Sequence, residues 1–169
     1  MNITSYNSAG MPGNEAERQK ATEASGILNL VGDPVLMDLA RRARIHCRVE
    51  TAIICAVSHY NVFVIAQDRA RSGVFNRSTS FVGHMIHGDI DTLIVPSAKS
   101  DGRFATYPLV EDGDIDFYAA AGMRDSNGYL IGALCVTSRK PKLNWNLGGQ
   151  DYLKTCAVDA MKKVITKQP

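Results

Sequence analysis

Two histidines, His84 and His87, stand three residues apart in SFVGHMIHG, and on a helix that spacing puts both imidazoles on one face, as a metal pair requires. No third ligand lies near them in sequence, and only folding could bring one, Cys135 being a candidate by type. The reading is therefore no metal site. Asp112, Asp114 and Asp116 alternate in EDGDID. Close carboxylates can suit calcium, but the spacing lacks the ligand set of a helical calcium loop and reads as a solvated turn before a strand. A Cys135–His84–Asp101 triad can be drawn, yet a chain of this length offers many such triples, so no catalytic set is assigned. The four cysteines, Cys47, Cys55, Cys135 and Cys156, form no CxxC pair, and each lies within an apolar run. Buried free thiols behave as small hydrophobes and point to a reducing, cytoplasmic setting. Arg41, Arg42 and Arg44 read as a helix end complementing the backbone dipole rather than as an anion site.

These residues need elements to hold them. At 169 residues the chain suits one domain, at roughly 150 residues each. A flexible tail is expected over 1–14 and a single domain over 15–167. Folding at 18.4 kDa removes roughly 69% of the unfolded surface from water, enough for a core without disulfides or metal. A net charge of +2 without Lys/Arg clusters excludes a dedicated nucleic-acid binder. No run reaches the roughly 18 apolar residues of a membrane helix, and the N-terminus lacks a basic-then-apolar export pattern.

Glu15–Ser25 uses good helix formers but has little apolar stripe, which predicts a marginal helix paired with another, in this chain or a second subunit. Asp33-Pro34 opens a helix carrying Val35, Leu36, Leu39, Ala40 and Ala43 on one face. Thr51–Val57 and Val62–Ala66 read as a hairpin about 58–61, and Gln67–Asn76 as a polar loop. A helix follows from Phe81 to Gly88, then a short strand Leu93–Val95. Ser97–Val110 is a long connection with one helical turn, the kind of loop that often lines sites. Phe117–Met123 and Tyr129–Thr137 flank Ser126-Asn127-Gly128, a tight-turn signal needing positive φ at both central positions. The last helix, Leu147–Lys167, carries Leu153, Cys156, Ala157, Ala160, Met161 and Val164 as its stripe. Strands joined by tight turns make an antiparallel sheet, and helices at both chain ends should cover one face.

GILNLVGDPVLMDLARRA, SFVGHMI, DGRFATYPLV, FYAAAGM and GYLIGALCV occur in that order with suitable gaps. Together they make residues Gly26 to about Ile165 resemble a GAF domain of the bacterial signalling type. The second segment is similar to the family's Ser-Phe-Cys-x-His helix, and the third to its Asp-Pro-Arg-Phe loop. The resemblance implies an α+β, PAS-like architecture: a central antiparallel sheet of about five to six strands, terminal helices on one face, and a loop-covered pocket on the other. It implies pocket residues at Val64, Ser80, Phe81, His84, Val95, Asp101, Phe104, Tyr107, Phe117, Ala119, Ala121 and Cys135. Members bind cyclic nucleotides, haem, bilins, amino acids or other small molecules, and some bind nothing and serve as dimer modules.

The departures narrow this. Val82 stands where the family's helix cysteine does, and Gly83 precedes His84, so covalent bilin attachment is not expected. The signature of cyclic-nucleotide-binding members is not recognisable. Free methionine sulfoxide reductases share the fold, but their chemistry needs cysteines on two pocket loops, and Thr79–Gly83 and Ser97–Glu111 hold none. The expectation is a non-catalytic sensory domain for an unidentified small molecule, homodimeric through 15–25 and 147–167, acting on a signalling partner in trans, without nucleic acid or membrane. The alternative is a ligand-free dimerisation module whose pocket has filled. Gly83 and the alanines 119–121 argue for open space, and Tyr107 for filling.

Overall fold

The computed structural model describes residues 7–166. Its elements are α1 (Glu15–Ser25), α2 (Pro34–Cys47), β1 (Thr51–Ser58), β2 (Asn61–Asp68), β3 (Val74–Asn76), α3 (Phe81–Gly88), β4 (Thr92–Val95), α4 (Pro108–Glu111), β5 (Phe117–Arg124), β6 (Leu130–Ser138) and α5 (Leu147–Thr166). The strands form one antiparallel sheet in the order β3-β2-β1-β6-β5-β4. The first and last residues of the chain, including part of the expected tail and Lys167, lie outside the described residues.

The helix starts follow local chemistry. The Asp33 carboxylate accepts from the backbone N–H of Val35 and Leu36 at 3.0 and 3.3 Å, capping α2 with Pro34 in its first turn. Ser80 Oγ accepts from Gly83 N–H at 3.0 Å and caps α3. A side chain at Gly83 would meet the Arg77 carbonyl at 2.3 Å, so only glycine lets the helix begin this close to the preceding turn.

Both sheet faces are covered. On one, Leu36, Leu39 and Ala43 of α2 and Leu153, Ala157 and Val164 of α5 pack on Ile54, Leu134 and Val136. On the other, Phe81, Met85 and Ile86 of α3 and Phe104, Tyr107 and Val110 from the long connection pack over Val57, Leu93, Val95 and Ala133. At the sheet centre a side chain on Gly132 would strike the Cys55 carbonyl at 2.0 Å, where the β1 register shifts by a bulge.

Three expectations change. β3 lies where the sequence reads as loop, since a strand of three residues at a sheet edge carries no periodicity to detect. The β5–β6 turn is not a tight two-residue turn. Asp125 Oδ1 accepts from the N–H of Asn127 and Tyr129 at 3.0 and 2.8 Å, and in that loop only Gly128 takes positive φ. Finally, α1 needs no second subunit to bury its stripe, because that stripe is polar and packs on this chain's own sheet.

The α1 contact is a charge cluster. The β1–β6 ladder ends at Ala56–Gly132, and the carbonyls of Val57 and Leu130 beyond it accept from Arg18 Nη1 at 2.9 and 3.4 Å. Glu15 accepts from Arg18 (2.9 and 2.9 Å) and from Arg77 (2.6 and 3.0 Å), and Arg77 also donates to the His59 carbonyl at 2.9 Å. Burial alone would raise the Glu15 pKa; the hydrogen bonds and charges of both arginines outweigh it and hold the carboxyl at about 2. Gln19 completes the contact, donating to Ser58 Oγ at 2.9 Å and accepting from His59 N–H at 2.8 Å.

Candidate functional site

A cavity of about 610 Å³ opens on the sheet face opposite α2 and α5. Its floor comes from alternate residues of three central strands: Ile53 and Cys55 of β1, Cys135 and Thr137 of β6, and Tyr118 of β5. Ser80, Phe81 and Val82 at the start of α3 form one wall; Tyr107, Pro108 and Leu109 at the start of α4 form another. Exposed Arg69, Arg71, Arg139 and Glu50, with Asp114, form the rim. A cavity of this size with an apolar floor and few polar groups has the dimensions of a small-molecule site.

The polar groups on the floor are neutral. Tyr118 Oη donates to Cys135 Sγ at 3.0 Å. Full burial pushes the Tyr118 phenol well above its ordinary value, with Cys135 and Cys55 adding to the effect. Burial likewise raises the Cys135 thiol well above the usual range, reinforced by Cys55. A thiol held protonated is a poor nucleophile. The Thr51 and Thr137 hydroxyls pair with each other across β1 and β6. Phe81 lies flat on Tyr118 at 4.4 Å between ring centroids, fixing wall to floor.

Of the residues expected in the pocket, Ser80, Phe81, Tyr107 and Cys135 line the cavity. Val95 and Phe104 belong to the same buried layer but do not line the cavity. Val64 is buried in β2 opposite Cys55 and does not reach the cavity. Phe117, Ala119 and Ala121 face the α2–α5 layer instead. β5 is buried on both faces over these positions, so no polar alternation marked which set faced which side, and the cavity side is that of Tyr118 and Ala120. The Asp101 carboxylate is turned to Arg103, which donates to it from Nε at 3.0 Å and Nη2 at 2.7 Å. The arginine rim was not assigned from sequence. Arg69 and Arg71 read only as loop polarity, and nothing local in the chain connects them to Arg139.

His84 lies behind the cavity rather than in it. Its Nε2 meets Tyr107 Oη at 2.6 Å and the Asn7 carbonyl at 3.2 Å, and its ring stands edge-on to Phe104 at 4.9 Å. Burial lowers its pKa, with the charges of Arg103 and His87 acting the same way, so the neutral ring is favoured. Tyr107 Oη also donates to the Asn7 carbonyl at 2.8 Å, and Ala9 N–H donates to the Ser78 carbonyl at 2.9 Å. His87 Nδ1 meets the Met11 carbonyl at 3.3 Å. The two histidines thus face the N-terminal segment, and among the described residues they gather no cluster of metal-ligating side chains. Tyr107 belongs to both places: its ring walls the cavity and its hydroxyl holds residue 7.

No family model matches the chain. A cyclic di-GMP phosphodiesterase of Pseudomonas aeruginosa is 29% identical over 136 residues, 78% of this chain but 22% of its own length, so the chain spans about a fifth of that relative. Among solved structures, the GAF domain of an Acinetobacter phosphoenolpyruvate-protein phosphotransferase superposes with a TM-score of 0.66 at 14% identity, covering 92% of this chain and 95% of that one. A far-red cyanobacteriochrome photoreceptor gives 0.64 at 16%, covering 92% and 100%. The chromophore-binding domain of a bacteriophytochrome from R. palustris gives 0.62 at 12%, covering 92% of this chain and 63% of that one. Among the described residues no helix is long and apolar enough to cross a membrane. With its six-stranded antiparallel sheet between a helical layer and a cavity-bearing layer, the chain has the fold of a GAF domain.

Proposed function

We propose that this chain is a sensory domain that binds a small organic molecule non-covalently in the cavity and instructs a signalling partner in trans. The observation that carries the reading is the cavity itself, about 610 Å³ with an apolar floor, neutral polar groups and a charged rim. Its cysteines, Cys55 and Cys135, sit on the sheet floor, and α3 carries Val82 and Gly83 before its histidine, which supports reversible rather than covalent binding. Tyr107 supplies the route outward. A ligand that presses on the Tyr107 ring changes the support of residues 7–11 only if it favours one arrangement of that ring over another, which is the condition for any signal. Homodimerisation through α1 and α5 belongs to the same proposal, with Val158 and Ile165 offering exposed apolar side chains on α5.

The test is a thermal-shift panel of nucleotides, amino acids, 2-oxo acids and tetrapyrroles, run on the wild type and on Ile53→Trp, which fills the floor. At a hundredfold excess over Kd a ligand stabilises by about 2.7 kcal/mol, roughly 5–10 °C for a domain of this size. The reading expects at least one such shift, lost in Ile53→Trp. Silence across the panel, or equal shifts in both proteins, overturns it in favour of a ligand-free interaction module.

A further inference from the structure

Arginine's planar fork matches a carboxylate or a phosphate, donating two parallel hydrogen bonds to either. In this chain Arg48, Arg69, Arg71 and Arg139 hold no carboxylate among the described residues, whereas every other arginine does. Arg48 is a helix C-cap. The other three all line the cavity rim. They come from separate places, Arg69 and Arg71 from the loop after β2 and Arg139 from the end of β6, so only the fold unites them.

Arg69 also sits at φ 57, in the left-handed region that non-glycine residues rarely adopt. Arg48 and Asp89 share this conformation as helix caps and His59 as the β1–β2 turn. Arg69 lies in the turn after β2, where Gln67 Oε1 accepts from Ala70 N–H at 3.1 Å.

Two carboxylates share the rim. Glu50 accepts the backbone N–H of Arg139 at 2.9 Å, and Asp114 stands near the α4 wall. With three guanidinium groups against two carboxylates, the rim carries one positive charge in excess, which suits one oxyanion rather than a polyphosphate chain.

Resting on the cavity reading above, we infer that the ligand is an amphipathic molecule. Its flat apolar body lies on the Ile53–Cys55–Tyr118 floor, and its single oxyanion, a carboxylate, phosphate or sulfonate, is gripped by Arg69, Arg71 and Arg139.

Two dyes with the same ring system test this, anilinonaphthalene sulfonate and its uncharged counterpart phenylnaphthylamine. Fluorescence titrations are run on the wild type, Ile53→Trp and the triple variant R69Q/R71Q/R139Q, with circular dichroism confirming the fold of each. The wild type should bind the sulfonate about tenfold more tightly, and raising salt should erode that advantage alone. The triple variant should lose most of the advantage while binding phenylnaphthylamine as before, and Ile53→Trp should weaken both dyes. Equal affinities in the wild type, or a sulfonate preference that survives the triple substitution, overturn the oxyanion grip while leaving the cavity reading intact. Failure of both dyes to bind the wild type, or binding of both undiminished in Ile53→Trp, overturns the grip and the cavity reading together.

Discussion

The two faces of the sheet are built from similar strands and covered in different ways. On the α2–α5 face, two long helices with small residues at their contacts, Ala40, Ala43, Ala157 and Ala160, settle close on Ala52, Ile54, Ala119 and Leu134. On the other face the cover is α3, one turn of α4 and connecting loops, anchored by large aromatic rings. Regular helices can lay a continuous stripe along a sheet, but short pieces cannot, and the floor between their anchors stays open. The cavity is not carved into the core. It is the area that the short elements do not reach.

The largest test of that contrast removes side chains from both faces. Leu134→Ala on the packed face should cost about 2–5 kcal/mol in urea or thermal unfolding. Ile53→Ala, half-buried on the cavity floor, should cost under about 1.5 kcal/mol, since much of its surface already faces open space. Equal costs would mean that the two faces pack alike.

Next in size is the charge cluster that ties α1 to the sheet end. Glu15→Ala leaves Arg18 and Arg77, both 2% exposed, without their shared acceptor, and should destabilise by about 1–3 kcal/mol. The pH dependence follows from the sign of the shift. Glu15 has its pKa lowered from 4.5 to about 2, so its contribution is complete above pH 4.5 and is lost as pH falls toward 2. Across that window the wild type should lose stability more steeply than Glu15→Gln.

Tyr107→Phe keeps the cavity wall and deletes the hydroxyl that bridges His84 and Asn7. A loss of about 0.5–1.5 kcal/mol is expected, with faster hydrogen exchange at the Ala9 amide. Unchanged exchange there would sever the cavity from the N-terminal segment. The smallest effect is the titration of His84. Its pKa is lowered from 6.5, so the unfolded chain takes up the proton first, and stability contributed by the neutral ring is present above pH 6.5 and lost as pH falls below it. Protection of the Ala9 amide should weaken over the same range in the wild type but not in His84→Gln.

Much of this was legible in the residues. Asp33-Pro34 marked the start of α2, and the α5 stripe from Leu153 to Val164 is the buried face. These signals are local, carried by one cap or one helical period. The pocket was legible only in part. Ser80, Phe81, Tyr107 and Cys135 reach it, whereas His84 and the odd-numbered β5 residues point elsewhere. The direction of a strand's side chains shows in sequence only when one face is wet, and β5 is dry on both.

Sequence alone determined the order of helices and hairpins, the positions of their caps and the absence of thiols from the α3 start and the long connection, because each is written within a few neighbouring residues. Tertiary structure alone decided that α1 buries arginines against the ladder's end, that Tyr107 faces a cavity and the segment at residue 7 at once, and that Arg69, Arg71 and Arg139 share one rim. These depend on residues far apart in the chain, whose meeting is fixed by sheet order and register rather than by any local preference.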